Sequence, residues 1–61
     1  MNKCPYMVVY FDDIFDKHVK HRINYPTAKE ALKRAAFHAS CFWVHRVEVW
    51  DGDRRMLLAV S

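Results

Sequence analysis

Apolar and polar positions divide the chain into four strand-like segments and one helix-like segment. The first strand is predicted at residues 6–11, a continuous run of aromatic and β-branched side chains that ends at two aspartates. The second is predicted at residues 18–25, where apolar and polar positions alternate. One face of it carries Val19, His21, Ile23 and Tyr25, and the other carries His18, Lys20, Arg22 and Asn24. The connection between the two strands has hairpin length, so we expect them to pair antiparallel.

A helix is predicted to begin at Thr27. The sequence Thr27-Ala28-Lys29-Glu30 is a capping box, in which the Thr27 hydroxyl accepts from the Glu30 amide and the Glu30 carboxylate reaches back. Mostly small residues then recur at helical spacing along one stripe, which allows the helix to lie close to a sheet. They are Ala28, Ala31, Leu32, Ala35 and Ala39.

Phe37 does not fit this stripe, because it lies about half a turn away from it at 3.6 residues per turn. Two interpretations stay open. The helix frays near Ala36 and Phe37 folds under, or the helix continues and Phe37 is an exposed anchor for a partner.

The third and fourth strands are predicted at residues 42–50 and 55–60. Between them, Gly52 is expected to supply the positive φ of a tight reversal. A four-residue loop at 51–54 would place Val49 opposite Met56 and keep apolar residues on one face. A two-residue turn would set Val49 against Arg54, so we favour the longer loop.

The predicted order is therefore ββαββ, an α+β fold with one helix packed on a four-stranded, mainly antiparallel sheet. Residues 1–61 form a single small domain. The sheet face away from the helix is expected to be basic with aromatic patches. It would carry Lys20, Arg22, Phe42, Val44, Arg46, Glu48, Trp50 and Arg55.

Composition adds two expectations about partners. The chain is 52% apolar and 15% aromatic, more than so small a core readily hides, which favours an exposed apolar patch or a homodimer. Its net charge is +3, and residues 17–46 hold seven basic side chains against one acid, Glu30. Such asymmetry is typical either of a field that steers an acidic partner or of a solvated surface.

The two cysteines, Cys4 and Cys41, are too few for a disulfide-framed secreted domain, so we interpret both as free thiols in a reducing compartment. The amino terminus lacks the apolar core of a signal peptide. No stretch approaches the roughly 18 apolar residues of a membrane span. These features predict a cytoplasmic protein that does not associate with a membrane.

Neither a metal site nor an enzyme is expected. His18 and His21 point to opposite faces of a strand, and His38 with Cys41 is a lone pair at helical spacing. His21 and His45 are expected on the helix-facing side at the margin of the core. The carboxylates Asp12, Asp13 and Asp16 are interpreted as solvated turn residues on the rim. With a single glycine there is no phosphate-cradling loop, so no cofactor is predicted.

A capped helix that leads into a basic strand also resembles a known family. Residues 27–37 follow the pattern Thr-x-x-Glu-Ala-Leu-x-x-Ala-x-aromatic, and residues 42–47 follow Phe-x-Val-x-Arg-Val. This segment is similar to the strand–helix–strand core of small podophage inhibitors of bacterial RNA polymerase, in which arginines of the strand contact the polymerase β′ jaw. Arg46 occupies the first of those arginine positions, whereas Glu48 stands at the second.

The expected function is therefore that of a small, phage-encoded binding protein in the host cytoplasm, which occludes an acidic surface of a host protein. RNA polymerase is the target that the resemblance implies. The predicted partner-binding residues are Lys20, Arg22, Phe37, Arg46, Trp50 and Arg55. Two alternatives remain: a single-stranded nucleic-acid-binding protein that uses the same face, and a homodimeric structural or regulatory module.

Overall fold

The computed structural model describes residues 3–12 and 19–61. Two strands, one helix and two further strands follow one another along the chain, and the sheet order is β2-β1-β3-β4, with all three pairings antiparallel. The elements are β1 (Tyr6–Asp12), β2 (Val19–Tyr25), α1 (Ala28–Ala39), β3 (Val44–Asp51) and β4 (Met56–Val60). The predicted α+β architecture, one helix on a four-stranded sheet, is confirmed. Asp13, Asp16 and His18 lie outside the described residues.

Helix α1 begins where the capping box predicts. The Thr27 hydroxyl oxygen accepts from the Glu30 amide at 3.2 Å. At the other end, Ser40 donates its hydroxyl to the Phe37 carbonyl at 2.6 Å. The helix runs on to Ala39, so the interpretation that it frays near Ala36 is wrong. Phe37 stays helical and 58% exposed.

The core lies between α1 and the two central strands. It consists of Val8 from β1, Val47 and Val49 from β3, and Ala31 and Ala35 from the helix. The two alanines are one turn apart, so the helix backbone approaches the sheet closely along that line. Leu32, expected in the same stripe, is exposed instead.

The hairpin between β3 and β4 has a different register from the predicted one. Val49 pairs with Ala59 rather than with Met56, because Asp51 remains in β3 and pairs with Met56, which moves the four-residue loop to 52–55. Asp51 holds the loop there, since its Oδ1 accepts from the amides of Asp53 and Arg54 at 3.1 and 3.3 Å. A bulge at residues 57–59 then shifts the pairing once more.

Gly52 is required by close contact rather than by its φ angle. It does not have a positive φ, so that expectation is wrong; within the loop at 52–55, Arg55 has the positive φ, at 52°. The Gly52 amide donates to the Pro5 carbonyl at 2.7 Å. A Cβ on Gly52 would lie 2.7 Å from that same oxygen.

Strand β3 begins at Val44, two residues later than predicted. The Val44 amide donates to the Cys41 carbonyl, which closes a turn that contains Phe42 and Trp43. Phe42 is therefore 94% exposed and does not belong to the sheet. Val44 packs against the core on the helix side, not on the opposite face as predicted.

Candidate protein-binding face

The sheet surface away from α1, called the open face below, is built by period-2 alternation in all four strands. Val8, Val47 and Val49 point towards the helix, so their strand neighbours point away from it. By register, the open face carries Lys20, Arg22 and Asn24 from β2; Met7, Val9 and Phe11 from β1; Arg46, Glu48 and Trp50 from β3; and Leu57 and Val60 from β4.

A short line of hydrogen bonds runs along β3 on this face. Arg46 donates from Nε to Glu48 Oε2 at 2.8 Å, and Trp50 donates from Nε1 to Glu48 Oε1 at 3.1 Å. Both oxygens of the carboxylate are thus occupied, and the guanidinium and the indole are held on either side of it. The Nη groups of Arg46 remain as donors for another molecule.

The same contacts fix the charge state of Glu48. Its pKa lies below the usual value, first because Arg46 and Trp50 donate hydrogen bonds to the ionised carboxylate, and then because of the charges of Arg46 and Lys20; burial opposes the shift. Glu48 therefore stays negative at neutral pH. Its charge is engaged by the neighbouring Arg46.

The other cations of the open face are less engaged. Lys20 and Arg22 are exposed on β2, an outer strand. Among the described residues of this face, Glu48 is the only carboxylate opposite Lys20, Arg22 and Arg46. The face is therefore positive, with its excess charge towards β2.

No family, curated protein or solved structure matched this chain.

Apolar side chains complete the open face. Val9 is only 2% exposed although it lies away from the helix, where it sits in register between Arg22 and Glu48, so the longer side chains around it shield it from water. Towards β4, Leu57 pairs with Trp50 and Val60 pairs with Glu48, and both Leu57 and Val60 are exposed. The open face is therefore basic at its β2 edge and apolar at its β4 edge.

Four of the six predicted partner-binding residues share this face: Lys20, Arg22, Arg46 and Trp50. Arg55 does not, because it lies in the turn before β4 rather than in the strand. Phe37 does not either, since it lies on the helix. There it borders a groove of about 570 Å³ together with Tyr25, Glu30, Lys33 and Arg34.

Sequence reasoning missed the contribution of β1 to the open face. Met7, Val9 and Phe11 alternate with Val8 and Tyr10, but a continuous apolar run hides which residues face the helix. The missing signal was the sheet order, because β1 is a central strand and needs apolar residues on both faces.

A second cluster, on the helix side, gathers polar aromatic groups. His21 contacts the buried carboxylate of Asp12 at 2.6 Å, from Nε2 to Oδ2. Tyr10 stacks on His21 and on His38, with centroid distances of 4.7 and 4.0 Å. Asp12 was expected to be a solvated turn residue, but it ends β1 and is 8% exposed.

The remaining candidate residues are placed as follows. His45 was expected to face the helix but lies against Phe11 of the open face, at a centroid distance of 5.9 Å.

Cys4 and Cys41 are not joined in a disulfide. Within residues 3–12 and 19–61, no three His, Cys, Asp or Glu side chains form a group that could hold a metal ion. No helix in this part of the chain is long and apolar enough to cross a membrane.

Proposed function

We propose that this chain is a small binding protein that occludes an acidic surface of another protein with its open face. The observation that carries the proposal is the composition of that face. Lys20, Arg22 and Arg46 share one sheet surface with Trp50 and Leu57, and Glu48 is already hydrogen-bonded to its neighbours.

Each part of the face has a physical role in such binding. The exposed cations on β2 attract an acidic surface over distance and orient the encounter. Trp and Arg are the residue types that most often dominate interface energies, and here Glu48 holds one of each in a fixed position. The apolar side chains of β4 exclude water from the contact. The result is inhibition by occlusion, without chemistry.

The resemblance to podophage inhibitors supports a phage-encoded inhibitor and makes bacterial RNA polymerase the first partner to test. Arg46 would contact the polymerase in the way that the first arginine of the family's strand does. Glu48 stands at the second arginine position and is engaged by Arg46 and Trp50. The target contact would therefore depend on Arg46 together with Lys20 and Arg22 on the neighbouring edge.

The test compares two double variants with the same change in net charge. Lys20→Glu with Arg22→Glu reverses the open face, and Lys29→Glu with Lys33→Glu reverses exposed positions on the helix. Binding to purified RNA polymerase, and to proteins captured from a nuclease-treated bacterial lysate, should weaken about 10-fold or more for the open-face pair and much less for the helix pair. Equal losses would show that net charge, rather than this face, carries the binding.

One observation favours single-stranded nucleic acid as the second candidate. Phe11 and Trp50 lie on the open face of the two central strands, β1 and β3, where stacking platforms for bases are found in sheet-face binders. Titration of a labelled oligothymidylate at low salt would show binding that falls with added salt and with Phe11→Ala. An unchanged signal throughout the titration rejects this candidate.

A further inference from the structure

The outer edge of strand β2 borders a groove on the helix side of the sheet. The helix packs mainly on β1 and β3, so a gap remains between its flank and β2. This gap is the groove of about 570 Å³, which Tyr25 lines from the strand. The residues that line it from the helix are spaced i, i+3, i+4 and i+7, so they form one flank of α1. They are Glu30, Lys33, Arg34 and Phe37, and all four are exposed.

Strand β2 presents different chemistry on its two sides. On the open face, Lys20 and Arg22 are exposed cations. On the helix side, Ile23 is 38% exposed. The helix flank adds the charges of Lys33 and Arg34 there, and neither forms an ion pair with another described residue. A segment laid along this edge would therefore meet cations on one side, and apolar surface with further cations on the other.

Hydrogen bonds of β3 show how the backbone of the sheet is oriented. Val47 exchanges two backbone hydrogen bonds with Ser61, so its N–H and C=O point towards β4. Backbone direction alternates along a strand, so the next residue of β3 points towards β1, where it pairs with Val9. Val9 therefore points towards β3, as does Pro5, whose carbonyl accepts from the Gly52 amide. The odd-numbered residues of β1 are thus bonded to β3.

The even-numbered residues of β1 point the other way, towards β2. Among them, Val8 and Tyr10 pair with Ile23 and His21, so these two residues of β2 point inwards. The register of β1 with β2 is unbroken along all seven residues of β2, and among the described residues no strand lies on its outer side. The backbone N–H and C=O groups that point out from the sheet therefore belong to Lys20, Arg22 and Asn24.

We propose that an extended acidic segment of a partner protein adds to the outer edge of β2 as a fifth strand, antiparallel to it. The proposal rests on the proposed function, since it names the part of an acidic partner that binds. Residues of the segment opposite Lys20 and Arg22 share a face with them, so acidic side chains there form cross-strand ion pairs. The residues between them point to the helix side, where apolar side chains enter the groove beside Tyr25 and Phe37. Backbone hydrogen bonds supply affinity, and the alternating side chains supply specificity.

The charges on β2 select this occupant over a second copy of the chain. If two β2 strands paired antiparallel about their middle residue, Arg22 would lie opposite its own copy. Like charges placed directly opposite each other destabilise a strand pair. An acidic strand turns the same arginine into half of a favourable pair. The edge therefore disfavours self-association and favours a strand of opposite charge.

A synthetic peptide tests the strand addition directly. The probe is a capped, fluorescein-labelled peptide of about nine residues in which glutamate alternates with valine, and fluorescence anisotropy measures its binding to the full chain. N-methylation of the glutamates, whose amides would face the backbone of Lys20, Arg22 and Asn24, should weaken binding about tenfold or more. N-methylation of the valines, whose amides would point to solvent, is the matched control and should change binding less than about twofold.

Variants of the chain locate the bound peptide. Arg22→Glu should weaken binding about tenfold or more. Lys29→Glu makes the same change in charge at an exposed helix position outside the groove lining, and should weaken it much less. Phe37→Ala removes a wall of the groove and should weaken binding about threefold or more, whereas Leu32→Ala, at another exposed apolar position of the helix, should not. All four positions are exposed, and urea unfolding checks that the variants remain folded.

Four outcomes would overturn the proposal. The peptide fails to bind, or a variant and its control have equal effects. The two sets of N-methyl groups weaken binding equally, which would mean that charge alone holds the peptide, as it would hold a nucleic acid. Binding disappears as the concentration of the chain rises, which would mean that a second copy occupies the edge. If partner proteins still lose affinity for the Lys20→Glu, Arg22→Glu variant in any of these cases, binding through the open face stands and only the strand addition fails.

Discussion

The ring of Tyr10 lies almost parallel to the ring of His38, with 4.0 Å between their centroids and 14° between their planes. His21 stacks on the same tyrosine from β2, and Asp12 contacts His21 in turn. This cluster joins the carboxy-terminal end of α1 to the two strands of the first hairpin. The docking of the helix thus involves a titratable group.

The protein should become less stable as the pH is lowered, because the folded structure disfavours protonation of His38. The pKa of His38 lies below its usual value of 6.5, first because burial disfavours the charged ring, and then because Arg34 and His21 are close. His38 therefore binds a proton more readily in the unfolded chain than in the folded one. Its contribution to the free energy of unfolding is complete above the pKa of His38 in the unfolded chain. That contribution is lost as the pH falls through the lower pKa of the folded protein. His38→Phe keeps an aromatic ring but does not titrate.

Urea unfolding of the two proteins between about pH 7.5 and pH 5 measures this effect. The wild type should lose stability relative to His38→Phe as the pH falls. The Asp12–His21 pair is present in both proteins, so the difference reports on His38. Parallel pH profiles would mean that His38 titrates alike in the folded and unfolded chains.

Replacing Gly52 by alanine should destabilise the hairpin. The new Cβ would lie 2.7 Å from the Pro5 carbonyl oxygen, a backbone atom that also accepts the Gly52 amide, so neither group can move without loss of that hydrogen bond. The expected loss in the free energy of unfolding is about 1 to 3 kcal/mol. Asp53→Ala is a control in the same loop. Asp53 is exposed, and its hydrogen bond to Asp51 is donated by its backbone amide, which the substitution keeps. A loss no larger than that of the control would contradict the close contact.

Arg55→Gly should have the opposite effect. Arg55 has a φ of 52°, a left-handed conformation that costs free energy for a residue with a Cβ and none for glycine. The variant should gain about 0.5 to 1 kcal/mol in thermal or urea unfolding, since glycine also increases the entropy of the unfolded chain and so limits the gain. Arg54→Gly, one residue earlier at a negative φ, should lose stability. A change in stability of the same sign in both variants would contradict a strained backbone conformation at Arg55.

Thr27→Ala should remove the amino-terminal cap of α1. The hydroxyl that accepts from the Glu30 amide is lost, at a cost of about 1 kcal/mol. Thr27→Ser keeps the oxygen and should behave nearly as the wild type. Chemical unfolding followed by circular dichroism measures both, and equal stability of the alanine and serine variants would show that the cap contributes nothing.

The sequence predicted well those features that depend on neighbouring residues. The capping box placed the start of α1 at Thr27 because the cap is made within four residues. Alternation placed β2 at residues 18–25 for the same reason, and the described strand is Val19–Tyr25. The fold class then followed, because two hairpins and one helix with a small-residue stripe have few ways to pack.

Features that depend on distant residues were missed. The register of β3 with β4 depends on a bulge and on the Asp51 side chain, which ends the strand one residue late. Val44 points to the core because the pairing of β1 with β3 is irregular at Asp12, which lies 32 residues earlier in the chain. Neither irregularity has a local pattern in the sequence.

The candidate site was predicted in the same uneven way. Alternation within β2 and β3 put Lys20, Arg22, Arg46 and Trp50 on one face. Arg55 was misplaced because the loop moved by one residue, and Phe11 was missed because the central position of β1 follows from the sheet order. In the sequence, Glu48 was notable only because an acidic residue stands where the family has its second arginine. The hydrogen bonds of Glu48 show that it also helps to position Arg46.

The pairing of β1 with β3 also has a consequence for synthesis on the ribosome. Strand β1 is made first, yet one of its two partners in the sheet is made after the helix. The β3 side of this strand and the valines of the core must wait for Val47 and Val49 to leave the ribosomal tunnel, so the sheet closes only after β2, the helix and β3 have been made. Until then the side of β1 that pairs with β3 has no partner strand in the nascent chain.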